Sequence, residues 1–467
     1  MGLSALLIFW LAGRGMEKDD AGGSGIPGLA AIVFLSCFEV FGVGNTAVLD
    51  NLFALFLTAA IIAFYRATEM PRGAPGEKGW LVLAGLAAGM AFLTKGFLAF
   101  AVPVLVLAAY LIWQRRGRDI FRMGWLPVLV AVAVALPWSV AIGLREPNFW
   151  HFFIWNEHIR RFIGNSAQHK ASIGYFFMIA PAMFMPWTFL APAAVTGLRG
   201  AAGAGEKQRR LIRLCVCWLV LPFIFFSIAK GKLLTYILPC FPPFAILMAI
   251  GSIHVLRQGH RRWVQWGIAG AAGLFAFVLA AFLFIQVGGY AGMRPFHQPW
   301  KGMLVVSGFL ALVLSCVAAL RHRQETKKVI LFAVSPMLLF FIAHFALPDQ
   351  LLAEKAPGQL LGRCQADIPQ DAVVVTDEDS VRAICWYLKR SDLHVIGGAG
   401  ELDYGLTYPD AGGCLLSREA LHALTAPDRG KLVLIARSQN IQDWEKWLPQ
   451  PRFSDTSGPD GYSIWKY

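Results

Sequence analysis

The chain has 467 residues and a formal net charge of +13, yet 57% of it is hydrophobic, only 15% is charged, and its mean hydropathy is +0.54. A soluble chain of this length carries far more polar surface, so the composition excludes a soluble globular protein and specifies an integral membrane protein with many spans. The positive charge would suit nucleic acid or anionic lipid, but most Lys and Arg fall in short clusters between apolar runs, so membrane lipid is the expected partner and nucleic acid is not.

The first segment, MGLSALLIFWLAG, is apolar for about 13 residues, roughly 20 Å as a helix. A span needs about 30 Å, so the chain is expected to begin inside a transmembrane helix, with no cleavable signal peptide. Eleven apolar spans follow near 27–44, 47–64, 80–94, 97–113, 124–144, 172–195, 211–228, 234–256, 263–287, 302–320 and 328–347. They are read as helices because a backbone in lipid must satisfy its own hydrogen bonds. Pro137, Pro181, Pro186, Pro239 and Pro242 are expected to kink them.

The connections sort by charge. One set is basic: Arg14 and Lys18; Arg66, Arg72 and Lys78; QRRGR (114–118) with Arg122; EKQRR (206–210) with Arg199 and Arg213; RQGHRR (257–262); and RHRQETKK (321–328). The other set, at 45–46, 95–96, 145–171, 229–233 and 288–301, is less basic for its length. The two alternate along the spans, which puts the basic set in the cytoplasm and the other on the extracytoplasmic side. Residues 348–467 then read as a soluble domain on that second side. AVVVT (372–376) and KLVLIA (431–436) are short buried-strand runs, while SVRAICWYLKR (380–390) and SREALHAL (417–424) read as helices, the latter capped by Ser417. This order suggests a small α/β layer domain without a phosphate loop, zinc spacing or nucleophile elbow. Of eight cysteines, Cys37, Cys215, Cys217, Cys240 and Cys316 lie in apolar runs and read as core residues. Cys364, Cys385 and Cys414 lie in the tail, where an oxidising compartment would permit one disulfide.

Charges at the edges of apolar runs are the candidates for chemistry, because an ionised group inside a bilayer is costly and marks a site or a pair. Asp50, in GNTAVLD, is either a helix cap or a carboxylate for a sugar hydroxyl or amine, or a general base. Lys95, in FLTKG, is either a snorkelling lysine or a phosphate ligand. Lys230 and Lys232 flank Gly231 in AKGKLLTY and carry the same two readings, with Tyr236 one turn later. The segment 145–171 is rich in Trp and Phe and reads as an amphipathic interfacial helix. It also holds Glu157, His158, Arg160, Arg161, His169 and Lys170. On a helix Glu157 can pair with Arg161, and Arg is well suited to grip a phosphate through two parallel hydrogen bonds. A phosphate at a membrane surface belongs to a phospholipid or a polyprenyl phosphate. Glu157 beside His158 is a weak metal signal.

GNTAVLDNLFALFLTAA, AFLTKGFLAFAVPV, FWHFFIWNEHIRRF followed by AQHK, and IAKGKLLTYILPCFPPFAILMA together resemble the lipid A aminoarabinose transferases, membrane glycosyltransferases related to the protein O-mannosyltransferases. The resemblance runs from about residue 1 to 347, and the tail is similar in position and size. It implies an all-α polytopic membrane bundle of the GT-C type, with about eleven full spans and a partial first one over residues 1–347, and a small α/β periplasmic domain over 348–467. It implies a multi-pass protein of the bacterial inner membrane that moves a sugar, with inversion, from undecaprenyl phosphate to a lipid A phosphate at the periplasmic face. Asp50 matches the family's second acidic site residue. Lys95 and one arginine of Arg160–Arg161 match donor-phosphate contacts, and Lys230, Lys232 and Tyr236 fall in the segment beside the same cavity.

No cofactor is required by that chemistry, although a divalent cation at Glu157 and His158 is compatible with it. The family opens with a further helix and a periplasmic loop that carries its principal acidic residue and another lysine. Neither is in this sequence, so the resemblance implies an N-terminally truncated chain with less than full activity. Two other readings stay open: a related transferase moving mannose or another hexose to a protein or glycan, and, from a different class, a lipid transporter or an inactive remnant. The transporter reading is weakened because no internal repeat is visible and the charges gather at one face.

Overall fold

The computed structural model describes all residues except 17–24, 161–170, 202–204, 289–295, 297, 399, 427–430 and 459–460, and leaves the side chains of Glu157, His158, Arg160, Asp349, Gln350 and Glu401 undescribed. It divides into two compact units, one of Met1–Ala280 with Ser307–Phe341 and one of Ala281–Val306 with Ile342–Tyr467.

The first unit is helical, and Arg261–Gly288, Pro299–Arg321 and Glu325–Ala343 each continue across the division into the second. Among the described residues seven helices are long and apolar enough to cross a membrane: Asp50–Thr68, Arg118–Arg145, Glu206–Ile228, Leu234–Arg257, Arg261–Gly288, Pro299–Arg321 and Glu325–Ala343. Two bent pairs, Ile26–Leu35 with Phe38–Gly44 (62°) and Tyr175–Met183 with Trp187–Gly200 (98°), raise the number to nine. The sequence expectation of about eleven is therefore not met by length and apolarity alone. The two remaining expected spans are helices, but Pro75–Lys95 is rich in Gly and Ala, and Leu98–Trp113 has only 16 residues. The prolines fall both at a break and within helices: Pro186 lies between Tyr175–Met183 and Trp187–Gly200, which are bent by 98°. Pro137 sits inside Arg118–Arg145, which stays one helix, and Pro242 stands in the first turn of Phe241–Arg257, where its missing N–H removes no helix bond.

Close packing comes from small residues. Gly85 and Gly89 of Pro75–Lys95 face Arg118–Arg145 so closely that a Cβ on Gly85 would lie 2.6 Å from the Pro127 carbonyl oxygen, and one on Gly89 would lie 2.7 Å from Val134 Cβ. In lipid, where apolar burial gives helices little reason to associate, such close backbone approach drives packing. The outer face of Arg118–Arg145 is apolar and exposed at Phe121, Trp125, Leu129, Val132 and Leu136, a stripe suited to acyl chains.

Asp50–Thr68 and Pro75–Lys95 run antiparallel, so the bundle has two distinct ends. At one, Glu77 and Asp119 are 3% and 2% exposed and hold a cluster of arginines. Arg122 joins Glu77 and Asp119 at 2.7 Å each, and Arg116 reaches Asp119 at 2.7 Å and the Thr68 carbonyl at 2.9 Å. At the other end lie Asp50 and Lys95.

The second unit contains a six-stranded sheet in the order β3-β2-β1-β4-β6-β5. Its strands are β1 Val373–Thr376, β2 His394–Ile396, β3 Leu415–Leu416, β4 Leu432–Arg437, β5 Phe453–Thr456 and β6 Tyr462–Lys466. β1, β2, β3 and β4 are parallel, while β6 runs antiparallel to both β4 and β5. Both faces are buried. Val374, Val433, Ile435 and Ile464 pack with Leu360, Leu361 and Ile384 on one side, and Val375, Leu432, Leu434 and Trp465 pack with Leu421 and Ile441 on the other. This alternation is why β1 and β4 read as continuous apolar runs. Ser417 caps the Arg418–Leu424 helix through the Ala420 N–H at 3.2 Å. At the end of β1, the buried Asp377 accepts from the backbone of Ser380 (2.8 Å) and Arg437 (2.7 Å) and from the Asn440 side chain (2.8 Å). Cys364, Cys385 and Cys414 are all free thiols, so no disulfide forms among them. Burial pushes the Cys364 and Cys385 thiols up from their ordinary pKa.

Candidate donor site at one end of the bundle

Asp50 lies in the first turn of its helix and Lys95 in the last turn of its own. Each charge complements the dipole at its helix end. Gly96, at φ +73°, then reverses the chain in a conformation that residues with a Cβ rarely adopt. The result is a pairing across 45 residues of sequence: Lys95 Nζ donates to Asp50 Oδ1 at 2.5 Å, with side chains 25% and 14% exposed. The ammonium also lies 4.9 Å from the centre of the Tyr236 ring and 5.9 Å from that of Phe53, within range of cation–π attraction. Tyr236 is positioned by the 3-10 turn Leu234–Cys240 and by the Phe226 ring at 5.9 Å.

The structure therefore brings together three of the residues singled out from sequence: Asp50, Lys95 and Tyr236. Lys232 is employed differently. It is buried, and its ammonium donates to the carbonyls of Ala171 (3.1 Å) and Ala229. With the Ala171 N–H donating to the Lys230 carbonyl at 3.4 Å, it ties the chain after residue 170 to the 229–233 connection. Burial lowers the pKa of Lys232. The Lys230 side chain is exposed. Arg161, His169 and Lys170 lie outside the described residues, as do the side chains of Glu157, His158 and Arg160, although the backbone of Phe152–Arg160 forms a π-helix. The aromatic residues at its start pack as expected of an interfacial segment, with Phe149, just before it, and Phe153, in its first turn, stacked at 5.4 Å and Phe153 reaching Phe97 at 5.9 Å.

Sequence reasoning passed over polar groups beside this pair. Glu39, in the Phe38–Gly44 helix, has Oε1 buried with no hydrogen-bond partner, and so does Oδ1 of Asn51, next to Asp50. Thr235 Oγ1, next to Tyr236, is in the same condition. The signal for Glu39 was present: it is the one charged residue in the apolar run 27–44, and a charge there marks a site by default.

A lysine held over aromatic rings and next to a carboxylate, at one end of a membrane bundle, can hold a phosphate ester while the acid faces the group attached to it. The family model for dolichyl-phosphate-mannose-protein mannosyltransferases matches residues 25–153, and that for the C-terminal domain of the arabinosyl transferase ArnT matches residues 352–462. The crystal structure of ArnT from Cupriavidus metallidurans bound to undecaprenyl phosphate superposes with a TM-score of 0.78 at 20% identity, covering 99% of this chain and 82% of that one. The family models and the fold together define a polytopic membrane glycosyltransferase of the GT-C type. Undecaprenyl phosphate-α-4-amino-4-deoxy-L-arabinose arabinosyl transferases share much of its sequence. That of Aeromonas hydrophila is 37% identical over 428 residues, 89% of this chain and 74% of the relative, and that of Edwardsiella ictaluri is 38% identical over 437 residues, 91% and 76%. The chain belongs to this family of arabinosyl transferases.

Proposed function

We propose that the protein transfers 4-amino-4-deoxy-L-arabinose from undecaprenyl phosphate to a phosphate of lipid A, at the periplasmic face of the bacterial inner membrane. The observation that carries this reading is the Lys95–Asp50 pair under the Tyr236 ring, in a chain of this family. In the reaction an ionised oxygen of the acceptor phosphate attacks the anomeric carbon. The bond from that carbon to the donor phosphate oxygen breaks with inversion, and its electron pair leaves on undecaprenyl phosphate. One phosphodiester is exchanged for another and no net proton moves, so no strong base is required. Lys95 stabilises the charge that grows on the leaving phosphate, and Asp50 faces the sugar. Arg160 or Arg161 is a second phosphate ligand in this reading, and Lys230 lies on the same side. The periplasmic placement rests on the basic connections, which belong in the cytoplasm.

The test is lipid A mass spectrometry from a strain lacking its own transferase and expressing this chain. The expected result is lipid A carrying the aminopentose. Unmodified lipid A, where a known family member restores the modification, would refute the proposal. The match of residues 25–153 to the mannosyltransferase model favours one alternative, hexose transfer to a protein or glycan. Mass analysis of periplasmic glycoproteins from the same cells separates the two.

A further inference from the structure

Glu39 is a carboxylate in an apolar helix, and among the described residues nothing donates to its Oε1. Its position is fixed by the bend before it. Ser36 accepts from Trp187 Nε1 at 2.8 Å and donates to the Ile32 carbonyl at 2.7 Å, and the Phe38 N–H donates to the Met185 carbonyl at 2.9 Å. Downstream, Asn51 Nδ2 reaches the carbonyls of Val43 (2.8 Å) and Thr46 (3.1 Å), so the Phe38–Gly44 helix is stapled to the start of Asp50–Thr68. Glu39 stands one turn before Val43, close enough to feel the charge of Asp50. Asn51 leaves Oδ1 buried and unmet beside it in sequence. Both orphan atoms are acceptors, and a carboxylate and an amide oxygen both require N–H or O–H donors. The ammonium of Lys95 is already engaged with Asp50 Oδ1.

We propose that Glu39, together with Asn51 Oδ1, receives the cationic amine of the donor sugar and so sets the specificity of this site for an amino sugar. An ammonium group supplies three N–H donors and a positive charge, which answers two unmet acceptors and one carboxylate at once. A sugar hydroxyl at the same place supplies one donor and no charge. The division of labour is then a cation, Lys95, on the phosphate and an anion, Glu39, on the amine at the far side of the sugar ring. This inference rests on the function proposed above.

The experiment measures binding by the full chain in nanodiscs of undecaprenyl phosphate-linked 4-amino-4-deoxy-L-arabinose and of the same donor with its amine acylated, hence neutral. The wild type should prefer the free amine, and Glu39→Gln should weaken binding of that donor by about 10- to 100-fold while leaving the acylated donor nearly unchanged. Glu39→Asp, which keeps the charge, should retain part of the preference. The ratio of the two affinities is independent of how much protein folds. An equal ratio in wild type and Glu39→Gln overturns the inference while leaving the transferase reading intact. A wild type that binds neither donor overturns both.

Discussion

Replacing Lys95 by Met tests the centre of the proposed mechanism, because it removes the charge while keeping most of the side-chain length. The Nζ–Oδ1 separation of 2.5 Å corresponds to a gross attraction of about 7 kcal/mol at an effective dielectric of about 20, most of it offset by desolvating the two ions. The net effect on stability should therefore be modest, and the main loss should fall on the reaction. Removing a fixed electrostatic stabiliser of a leaving group costs about 3–4 kcal/mol, or 100- to 1,000-fold in turnover. Single-turnover transfer from the lipid donor to lipid A, followed by mass spectrometry, measures it, with thermal unfolding in detergent as the folding control. Lys95→Arg should recover part of the rate, since a guanidinium still presents charge to the phosphate. A Lys95→Met protein that folds normally and transfers within threefold of wild type would refute the assignment and leave Lys95 as a partner of Asp50 only.

Lys232→Met should act on structure instead. It strands the carbonyls of Ala171 and Ala229 and should lower the unfolding midpoint and loosen the connection before it, seen as faster amide exchange near residue 171. An unchanged midpoint and exchange pattern would show that these hydrogen bonds do not hold the loop. At the opposite end of the bundle, Asp119→Ala leaves Arg116 and Arg122 short of a buried partner and should destabilise by about 3 kcal/mol. Arg72→Ala, whose side chain is 72% exposed at 3.5 Å from Asp119, should change little, and equal losses in the two variants would contradict the burial argument. In the second unit the Arg390 fork, at 2.7 and 2.9 Å, holds the Asp392 carboxyl down at about 2. A depressed carboxylate stabilises fully above its unfolded pKa, and the contribution is lost as pH falls through the folded value. The pair should therefore support this unit at pH 4 and above and weaken between pH 4 and 2. Because Asp392 is exposed the effect is small, and Arg390→Gln should flatten that part of a urea-midpoint profile against pH.

Helix placement was legible because a bilayer leaves the backbone few options: each long apolar run became helical, with 27–44 and 172–195 forming bent pairs. Boundaries followed charge, with Asp50 and Lys95 at helix ends as their dipoles favour. In the tail the two most apolar strands, β1 and β4, could be read. β2, β3, β5 and β6 could not, because two to five mixed residues carry no period of their own and are strands only by pairing with their neighbours in the sheet, β2 and β6 on β1 and β4, and β3 and β5 on β2 and β6. Of the residues chosen for phosphate binding, Lys95 and Lys232 looked equivalent in sequence, each beside a glycine at the end of an apolar run. Folding separated them: one is aimed at a carboxylate and an aromatic ring, the other at two carbonyls.

The sequence by itself determined the medium and the helices, because transfer of charge and of unpaired backbone into lipid is decided residue by residue. Only the tertiary structure decided which charges meet. The Asp50–Lys95 contact spans 45 residues, and the place of Glu39 depends on a helix bend pinned by Trp187. Such contacts are set by antiparallel packing through Gly85 and Gly89 and by the angle of one break. Both are properties of how helices lie against each other, which no local pattern encodes.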